Sequence, residues 1–283
     1  MDSNLAKIKD ICRLYDLTPQ RSKGQNFLFN VSVIEKMVKA AQIKKEDLIL
    51  EVGPGLGILT ESLIVMSNRV TALELDKKLF DFLKIKFIAA KNLELINGDI
   101  LETRLSKFKS QNFKIVANLP YNITSSFLRK FLSLEPKPES MVVMVQKEVG
   151  ERICARPGQL SLLAISVQLY GHPEIIDVVN SENFWPQPKV DSVILKIDQI
   201  KTWSQLGQLA DGVAEKDFWR VVKVGFSAKR KQVVNNLAAG LRIDRQLVKA
   251  SLLELGLDEK IRAQNLAISD WFRLAKSLIN HFN

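Results

Sequence analysis

Short apolar segments alternate with helical patterns through the first half of the chain. The apolar segments are candidates for buried strands and lie at 48–52, 70–74, 93–96, 113–117 and 141–145. Between the second and the third of them, apolar residues recur at helical spacing from Lys77 to Lys86. Strands that alternate with helices of about 10–15 residues are typical of βαβ units on a parallel sheet. The pattern therefore predicts an α/β fold built around a parallel sheet.

The character of the sequence changes after residue 200. Residues 190–197 still alternate like a strand, whereas residues 201–283 show helical spacing without a β-rich segment. This last part carries 14 Lys and Arg against 8 Asp and Glu, a net charge of +6. We therefore predict an α/β domain over residues 1–200 and a smaller, basic, all-helical domain over residues 201–283.

The whole chain is basic, with 41 Lys and Arg against 31 Asp and Glu and a net charge of +10. Such an excess favours a polyanionic partner, nucleic acid before membrane, although a soluble enzyme that is simply basic is the alternative. A hydrophobic content of 46% excludes an intrinsically disordered chain. Cys12 and Cys154 are isolated, which argues against a disulfide framework and a structural zinc site. No apolar segment approaches the roughly 18 residues that span a bilayer. The charged N-terminus is unlike a signal peptide. We expect a cytoplasmic protein without a membrane partner.

A glycine-rich loop, Gly53-Pro-Gly55-Leu-Gly57, joins the first predicted strand to a helix. Glycines at such a junction let the backbone turn tightly and approach a ligand, although a purely structural turn is the alternative. Glu74 ends the next strand, where a carboxylate can accept hydrogen bonds from both hydroxyls of a ribose. Asp99 follows the third strand, where it either accepts from an adenine amine or caps a helix. Because the P-loop pattern is absent, the candidate ligands are a nicotinamide dinucleotide and S-adenosylmethionine.

The tetrapeptide Asn118-Leu119-Pro120-Tyr121 closes the fourth predicted strand. The amino nitrogen of adenine is a poor nucleophile because its lone pair is delocalised into the ring. The side-chain oxygen of Asn118 and a nearby backbone carbonyl can accept its two N–H bonds and so turn the lone pair toward a methyl donor. Pro120 restricts the backbone, and Tyr121 offers a ring for stacking on the target base. The alternative is an ordinary Pro-Tyr turn.

These motifs occur in the order and spacing of one family. They comprise Gly24–Leu28, the loop Gly53–Gly57, Glu74, Gly98-Asp99, Asn118–Tyr121, Gln146–Val149, Arg152, Pro157-Gly158, Phe184–Ser192 and Phe226–Leu237. As a set they resemble the ribosomal RNA adenine dimethyltransferases, and among these the small-subunit (16S) dimethyladenosine transferases. The resemblance covers residues 20–240.

The resemblance implies a Rossmann-like class I methyltransferase domain and a helical C-terminal domain that binds RNA. It also implies an activity in ribosome biogenesis, the transfer of two methyl groups onto each of two adjacent adenines near the 3′ end of small-subunit rRNA. The partner would be the immature small ribosomal subunit, and we expect the enzyme to be a monomer without a metal. The residues implied for the S-adenosylmethionine site are Gln25, Asn26, Leu28, Gly53, Gly55, Glu74, Leu75, Asp99, Ile100 and Asn118. Asn118, Leu119, Pro120 and Tyr121 would position the target amine, and Phe184 would cover the other face of the base, unless it is a core aromatic.

The sequence departs from the family pattern mainly in segments that the resemblance assigns to RNA docking. Leu162-Leu163 replaces a Tyr-Gly pair, and Lys229-Arg230-Lys231 replaces Arg-Arg-Lys. The predicted RNA-binding residues are Arg21, Lys23, Lys229, Arg230 and Lys231. The alternative is that these residues are ordinary surface charges in contact with solvent.

Three other functions are compatible with parts of the sequence. They are a large-subunit rRNA adenine methylase of the antibiotic-resistance type, a non-catalytic nucleic-acid-binding factor on the same fold, and a nicotinamide oxidoreductase. The intact Asn118–Tyr121 motif and the strand-end carboxylates argue against lost catalysis. No substrate-side acid or base for hydride transfer is evident.

Overall fold

The computed structural model describes residues 3–20, 24–103, 108, 112–133, 135–210 and 212–281, which form two units. The first unit comprises Met1–Glu151 and Gly171–Ile200, and the second comprises Arg152–Tyr170 and Lys201–Asn283. Among the helices of these residues, none is both long enough and apolar enough to cross a membrane.

The first unit is an α/β structure. Its strands are β1 (Phe27–Leu28), β2 (Leu48–Val52), β3 (Arg69–Glu74), β4 (Leu93–Asn97), β5 (Phe113–Asn118), β6 (Ser140–Gln146), β7 (His172–Val179), β8 (Phe184–Trp185) and β9 (Ser192–Asp198). Its helices are α1 (Ser3–Leu14), α2 (Val31–Ala41), α3 (Ile58–Met66), α4 (Lys77–Lys86), α5 (Thr124–Ser133) and α6 (Lys147–Ile153). The last two residues of α6 belong to the second unit. Short 3-10 helices lie at Tyr121–Ile123 and Ser181–Asn183.

The order of strands in the main sheet creates a crevice. Within the described residues this sheet has seven strands in the order β4-β3-β2-β5-β6-β9-β7. After β2 the chain adds β3 and β4 on one side, and it then returns to add β5 and β6 on the other. In an open parallel sheet, ligands bind where this order reverses, beyond the carboxyl ends of the strands. Here that point lies between β2 and β5.

The central strands are buried because helices cover the sheet. In β6, the residues from Ser140 to Val145 are buried, as expected for a strand with both faces covered. Helix α2 packs Ile34 and Met37 into the same apolar cluster as Val116 of β5 and Val142 of β6. Asn30 caps this helix, since its side chain accepts a 2.9 Å hydrogen bond from Ser32 N.

The predicted α/β class is confirmed, and the five predicted strands correspond to β2–β6. Two strands at one end depart from the parallel sheet, because β9 runs antiparallel to β6 and β7 runs antiparallel to β9. The predicted strand at 190–197 is β9, shifted by two residues at its start. Strand β7, whose side chains are mostly exposed or half-buried, and the two-residue strands β1 and β8 were not predicted from the sequence.

The second unit is helical, with no strand among its described residues. Its helices are α7 (Leu162–Gln168), α8 (Glu215–Gly225), α9 (Val233–Leu241), α10 (Arg245–Glu254) and α11 (Ile268–Leu278), with 3-10 segments at Trp203–Ala210, Ala263–Asn265 and Ile279–His281. The core of this unit is aromatic: the rings of Phe218 and Phe272 stack with centroids 4.2 Å apart, and Trp271 is fully buried.

The predicted domain boundary needs one correction. The break at residue 200 coincides with an end of the first unit, but residues 152–170, which we predicted to lie in the α/β domain, group with the helices. The backbone N–H groups of Gly158 and Leu160 both donate to the carbonyl of Gln264, and the Gln264 side chain donates back to the Gly158 carbonyl. These bonds join residues about a hundred positions apart, so the local pattern of the sequence does not reveal them.

Candidate functional site

A cavity of about 320 Å³ lies where the central strands of the first unit end. It is lined by the residues that follow β2, β3, β4 and β5, together with residues 24–28. All the residues predicted for the cofactor line this cavity, namely Gln25, Asn26, Leu28, Gly53, Gly55, Glu74, Leu75, Asp99, Ile100 and Asn118, as do Leu119, Pro120 and Tyr121. The predicted residues of the first unit are thus brought together, with the exception of Phe184 and of Arg21 and Lys23, which lie outside the described residues.

Two positions of the glycine loop, Gly55 and Gly57, have little or no room for a side chain. Gly55 has a φ of 58°, and a Cβ there would lie 3.2 Å from the ring of Phe27. Gly57 has a φ of 74°, and its Cβ would lie 2.6 Å from the ring of Phe87 and 2.8 Å from Leu83. Any other residue at Gly57 would combine backbone strain with a clash against α4 and the residue that follows it. The loop therefore needs glycine both for its turn and for its packing.

Glu74 is a buried carboxylate at the end of β3, and it is only 5% exposed. Its Oε2 accepts a 3.1 Å hydrogen bond from Gly55 N, and its Oε1 accepts a 2.8 Å bond from Asp76 N. Burial raises the pKa of Glu74, and the backbone donors lower it in part. A carboxylate offers about four acceptor positions, so Glu74 can also accept hydrogen bonds from ribose hydroxyls.

Asp99 caps a turn and also lines the cavity, while its contact with an adenine amine stays a prediction. Its Oδ1 accepts a 2.7 Å bond from Leu101 N and so caps a turn, and the same residue lines the cavity. Leu75 is 56% exposed and Ile100 is buried, and both line the cavity. Carboxylates, apolar side chains and open glycine backbone are the groups that an adenosine moiety needs. The residues present therefore fit S-adenosylmethionine.

The Asn118–Tyr121 turn is held by bonds to three other segments. Asn118 Nδ2 donates a 3.3 Å bond to the carbonyl of Asn26, so its side-chain oxygen remains as an acceptor. Leu119 N donates to the carbonyl of Met144 in β6. The Tyr121 hydroxyl shares a 2.8 Å bond with Ser192 Oγ, which is fully buried. Burial raises the pKa of Tyr121, so this hydroxyl is neutral at physiological pH.

Phe184 is placed in the core, the alternative that the sequence left open. It is 2% exposed, belongs to the apolar cluster beneath α2, and does not line the cavity. It pairs with Leu28 across the short β1–β8 ladder, and Asn30 Nδ2 donates to Asn183 Oδ1 beside this ladder. Its covering of a target base stays a prediction.

Glu51 lines the cavity, although it is not among the site residues predicted from the sequence. It is 1% exposed, and its Oε2 accepts a 2.7 Å bond from the hydroxyl of Thr60. Burial raises the pKa of Glu51 to about 8, and the charge of Glu74 contributes to the increase. An acidic residue inside the apolar segment 48–52 was the signal available in the sequence.

The predicted RNA-binding residues of the second unit lie on one exposed turn. Lys229, Arg230 and Lys231 are all exposed in the connection between α8 and α9. Buried Asn236 holds this connection, because its Nδ2 donates to the carbonyls of Gly225 and Ala228. Arg21 and Lys23 lie outside the described residues.

Comparison with known proteins assigns the chain to a family. The ribosomal RNA adenine dimethylase family matches residues 17–280. The chain is 43% identical over 274 residues to the ribosomal RNA small subunit methyltransferase A of Dehalococcoides mccartyi (strain CBDB1). The aligned residues cover 96% of this chain and 92% of that protein. A dimethyladenosine transferase from Plasmodium falciparum superposes with a TM-score of 0.73 at 28% identity, over 90% of this chain and 98% of that one. The 23S rRNA methyltransferase ErmE gives a TM-score of 0.69 at 25% identity, over 90% of this chain and all of that one. The chain therefore belongs to the ribosomal RNA adenine dimethylase family, whose members use S-adenosylmethionine as the methyl donor.

Proposed function

We propose that this protein dimethylates the N6 amines of two adjacent adenosines near the 3′ end of small-subunit rRNA during ribosome assembly. The observation that carries the proposal is that Asn118, Glu74 and Asp99 line one cavity at the strand ends of the sheet. Identity above 40% to relatives named as small-subunit enzymes favours that rRNA as the substrate. The similarity to ErmE makes large-subunit rRNA the competing substrate.

The cofactor site is assigned to the strand ends of β2, β3 and β4. Glu74 would accept hydrogen bonds from the ribose hydroxyls, and Asp99 would accept one from the adenine amine. Leu75 and Ile100 supply the apolar surfaces on which the adenine ring would lie. When bound, S-adenosylmethionine supplies an activated methyl group, because the sulfonium sulfur that carries the methyl group leaves as a neutral thioether.

The contribution of the protein to the reaction is then mainly orientation. Asn118 donates from its nitrogen to Asn26, so its oxygen can accept one N–H of the target amine. A backbone carbonyl of the same turn accepts the other, and the lone pair of the nitrogen is directed at the methyl group. The hydrogen bond to Ser192 fixes the Tyr121 ring, which we assign to stacking on the target base.

The exposed turn Lys229–Lys231 is proposed to contact phosphates of the rRNA. Ammonium and guanidinium groups supply the sequence-independent part of RNA binding, while the folded shape of the RNA and its unpaired bases supply selectivity. We further propose that the protein acts as a monomer in the cytoplasm on the immature small subunit.

The test is methyl transfer from labelled cofactor to immature small subunits, with large-subunit particles as the competing substrate. We expect label only in small-subunit rRNA, as dimethyladenosine at two adjacent positions. Asn118→Ala should lower the single-turnover rate about 100-fold and leave cofactor affinity nearly unchanged, because the lost contact orients the amine. Asn68→Ala, the same change at an exposed turn before β3, is the matched control. Label in large-subunit rRNA would show that large-subunit rRNA is the substrate instead. A wild-type rate for Asn118→Ala would refute the role of Asn118 in orienting the target amine.

A further inference from the structure

Lys130 lies on α5 and reaches a loop that belongs to the cavity. Its Nζ donates three hydrogen bonds, to the carbonyls of Ile100 at 2.8 Å, Leu101 at 2.7 Å and Thr103 at 3.0 Å. An ammonium group has three N–H donors, and all three are used here. The side chain is half-buried, so these bonds are shielded in part from water.

The loop that Lys130 holds presents Asp99 and Ile100 to the cavity. Within the loop, Leu101 N donates to Asp99 Oδ1, and the Thr103 hydroxyl donates a 2.7 Å bond to the Asp99 carbonyl. These bonds close the turn but leave the carbonyls of Ile100, Leu101 and Thr103 directed at one point. Three carbonyl oxygens that converge without a cation repel one another, so the shape of the loop depends on the ammonium group.

The other end of the same helix adjoins the Asn118–Tyr121 turn. The 3-10 helix Tyr121–Ile123 leads directly into α5 at Thr124, and Lys130 lies less than two turns further along. The helix that starts at the segment assigned to the target amine therefore also anchors the loop assigned to the adenine end of the cofactor.

We propose that Lys130 is a positioning residue, which holds Asp99 and Ile100 in the geometry that binds the adenine end of the cofactor. The proposal rests on the assignment of the cavity to S-adenosylmethionine. Because Lys130 orders the loop before the cofactor binds, the free energy of binding does not include the entropic cost of ordering the loop. A lysine that only stabilised the fold would change the free energy of unfolding but not the cofactor affinity of the folded protein.

The experiment compares Lys130→Met with Arg129→Met, the same change on the neighbouring exposed residue of α5. Calorimetry with S-adenosylmethionine and with S-adenosylhomocysteine measures affinity, and hydrogen exchange of the free protein measures the order of residues 99–103. We expect Lys130→Met to bind both ligands on the order of tenfold more weakly and to exchange faster at 99–103, since the loop loses charged hydrogen bonds. Arg129→Met should match the wild type in both measurements. If Lys130→Met does not fold, Lys130→Gln takes its place with the same expectation.

A folded Lys130 variant with wild-type affinity would overturn the proposal. The double variant with Asp99→Ala gives a second criterion: if Lys130 acts through Asp99, the loss caused by Lys130→Met shrinks when Asp99 is already removed. A loss that is equal in both backgrounds also contradicts the proposal. Failure of the underlying site assignment is separable, because in that case Asp99→Ala and Glu74→Gln would themselves leave cofactor affinity unchanged.

Discussion

Replacing Glu51 with Gln should remove a pH-dependent loss of stability. Burial of Glu51 raises its pKa from 4.5 to about 8, the charge of Glu74 adds to the increase, and Thr60 and Lys86 oppose it. The folded state therefore keeps a proton that the unfolded chain releases above about pH 4.5. Because the folded state binds more protons in this range, stability falls as pH rises, up to the folded-state pKa near 8.

The size of the effect follows from the two pKa values. Between pH 5.5 and pH 8.5, proton linkage at this one group lowers the free energy of unfolding by about 3 kcal/mol. Gln does not ionise, and its side-chain oxygen can still accept the hydrogen bond that Thr60 Oγ1 donates to Glu51. We therefore expect the variant to gain stability relative to the wild type by about this amount as the pH is raised across the interval.

Denaturant unfolding of both proteins without cofactor, at several pH values from 5.5 to 8.5, measures the difference. Comparing the two proteins cancels the contribution of every other titrating group that the substitution leaves unchanged. Glu46→Gln, at an exposed position before β2, is the matched control and should show a constant difference from the wild type. If the difference between Glu51→Gln and the wild type also stays constant across the interval, Glu51 does not hold a proton in the folded state, and the reasoning is refuted.

Glu74→Gln should weaken S-adenosylmethionine binding by about 1.5–3 kcal/mol, because both Glu74 oxygens accept backbone bonds and Gln offers one acceptor fewer; unchanged affinity by calorimetry would exclude Glu74 from the site. Ser192→Ala should lower the methylation rate about tenfold at saturating cofactor, because the Tyr121 ring loses the hydrogen bond that fixes it. Adding Tyr121→Phe to Ser192→Ala should lower the rate little further, and additive losses would show that the two residues act separately. Neutralising Lys229, Arg230 and Lys231 together should lower the log–log salt slope of RNA binding by about 0.7–0.9 per lost phosphate contact, with cofactor affinity unchanged; an unchanged slope would place the RNA contacts on other residues.

The sequence by itself determined the α/β class, the strands β2–β6 and the segments that form the cavity. Each of these depends on local information. Apolar runs and helical spacing define the elements, and the carboxyl ends of parallel strands meet at one edge of a sheet. Once the strands were predicted, Glu74, Asp99 and Asn118 therefore had to lie at the same edge.

The tertiary structure decided the features that depend on residues far apart in the chain. The antiparallel course of β9 and β7 and the packing of Phe184 beneath α2 are set by pairing and burial, which periodicity does not encode. The bonds of Gly158 to Gln264 and of Lys130 to the loop of Asp99 join segments 106 and about 30 residues apart. A lysine in an amphipathic helix looks like any surface charge until the fold brings three carbonyl oxygens around its ammonium group.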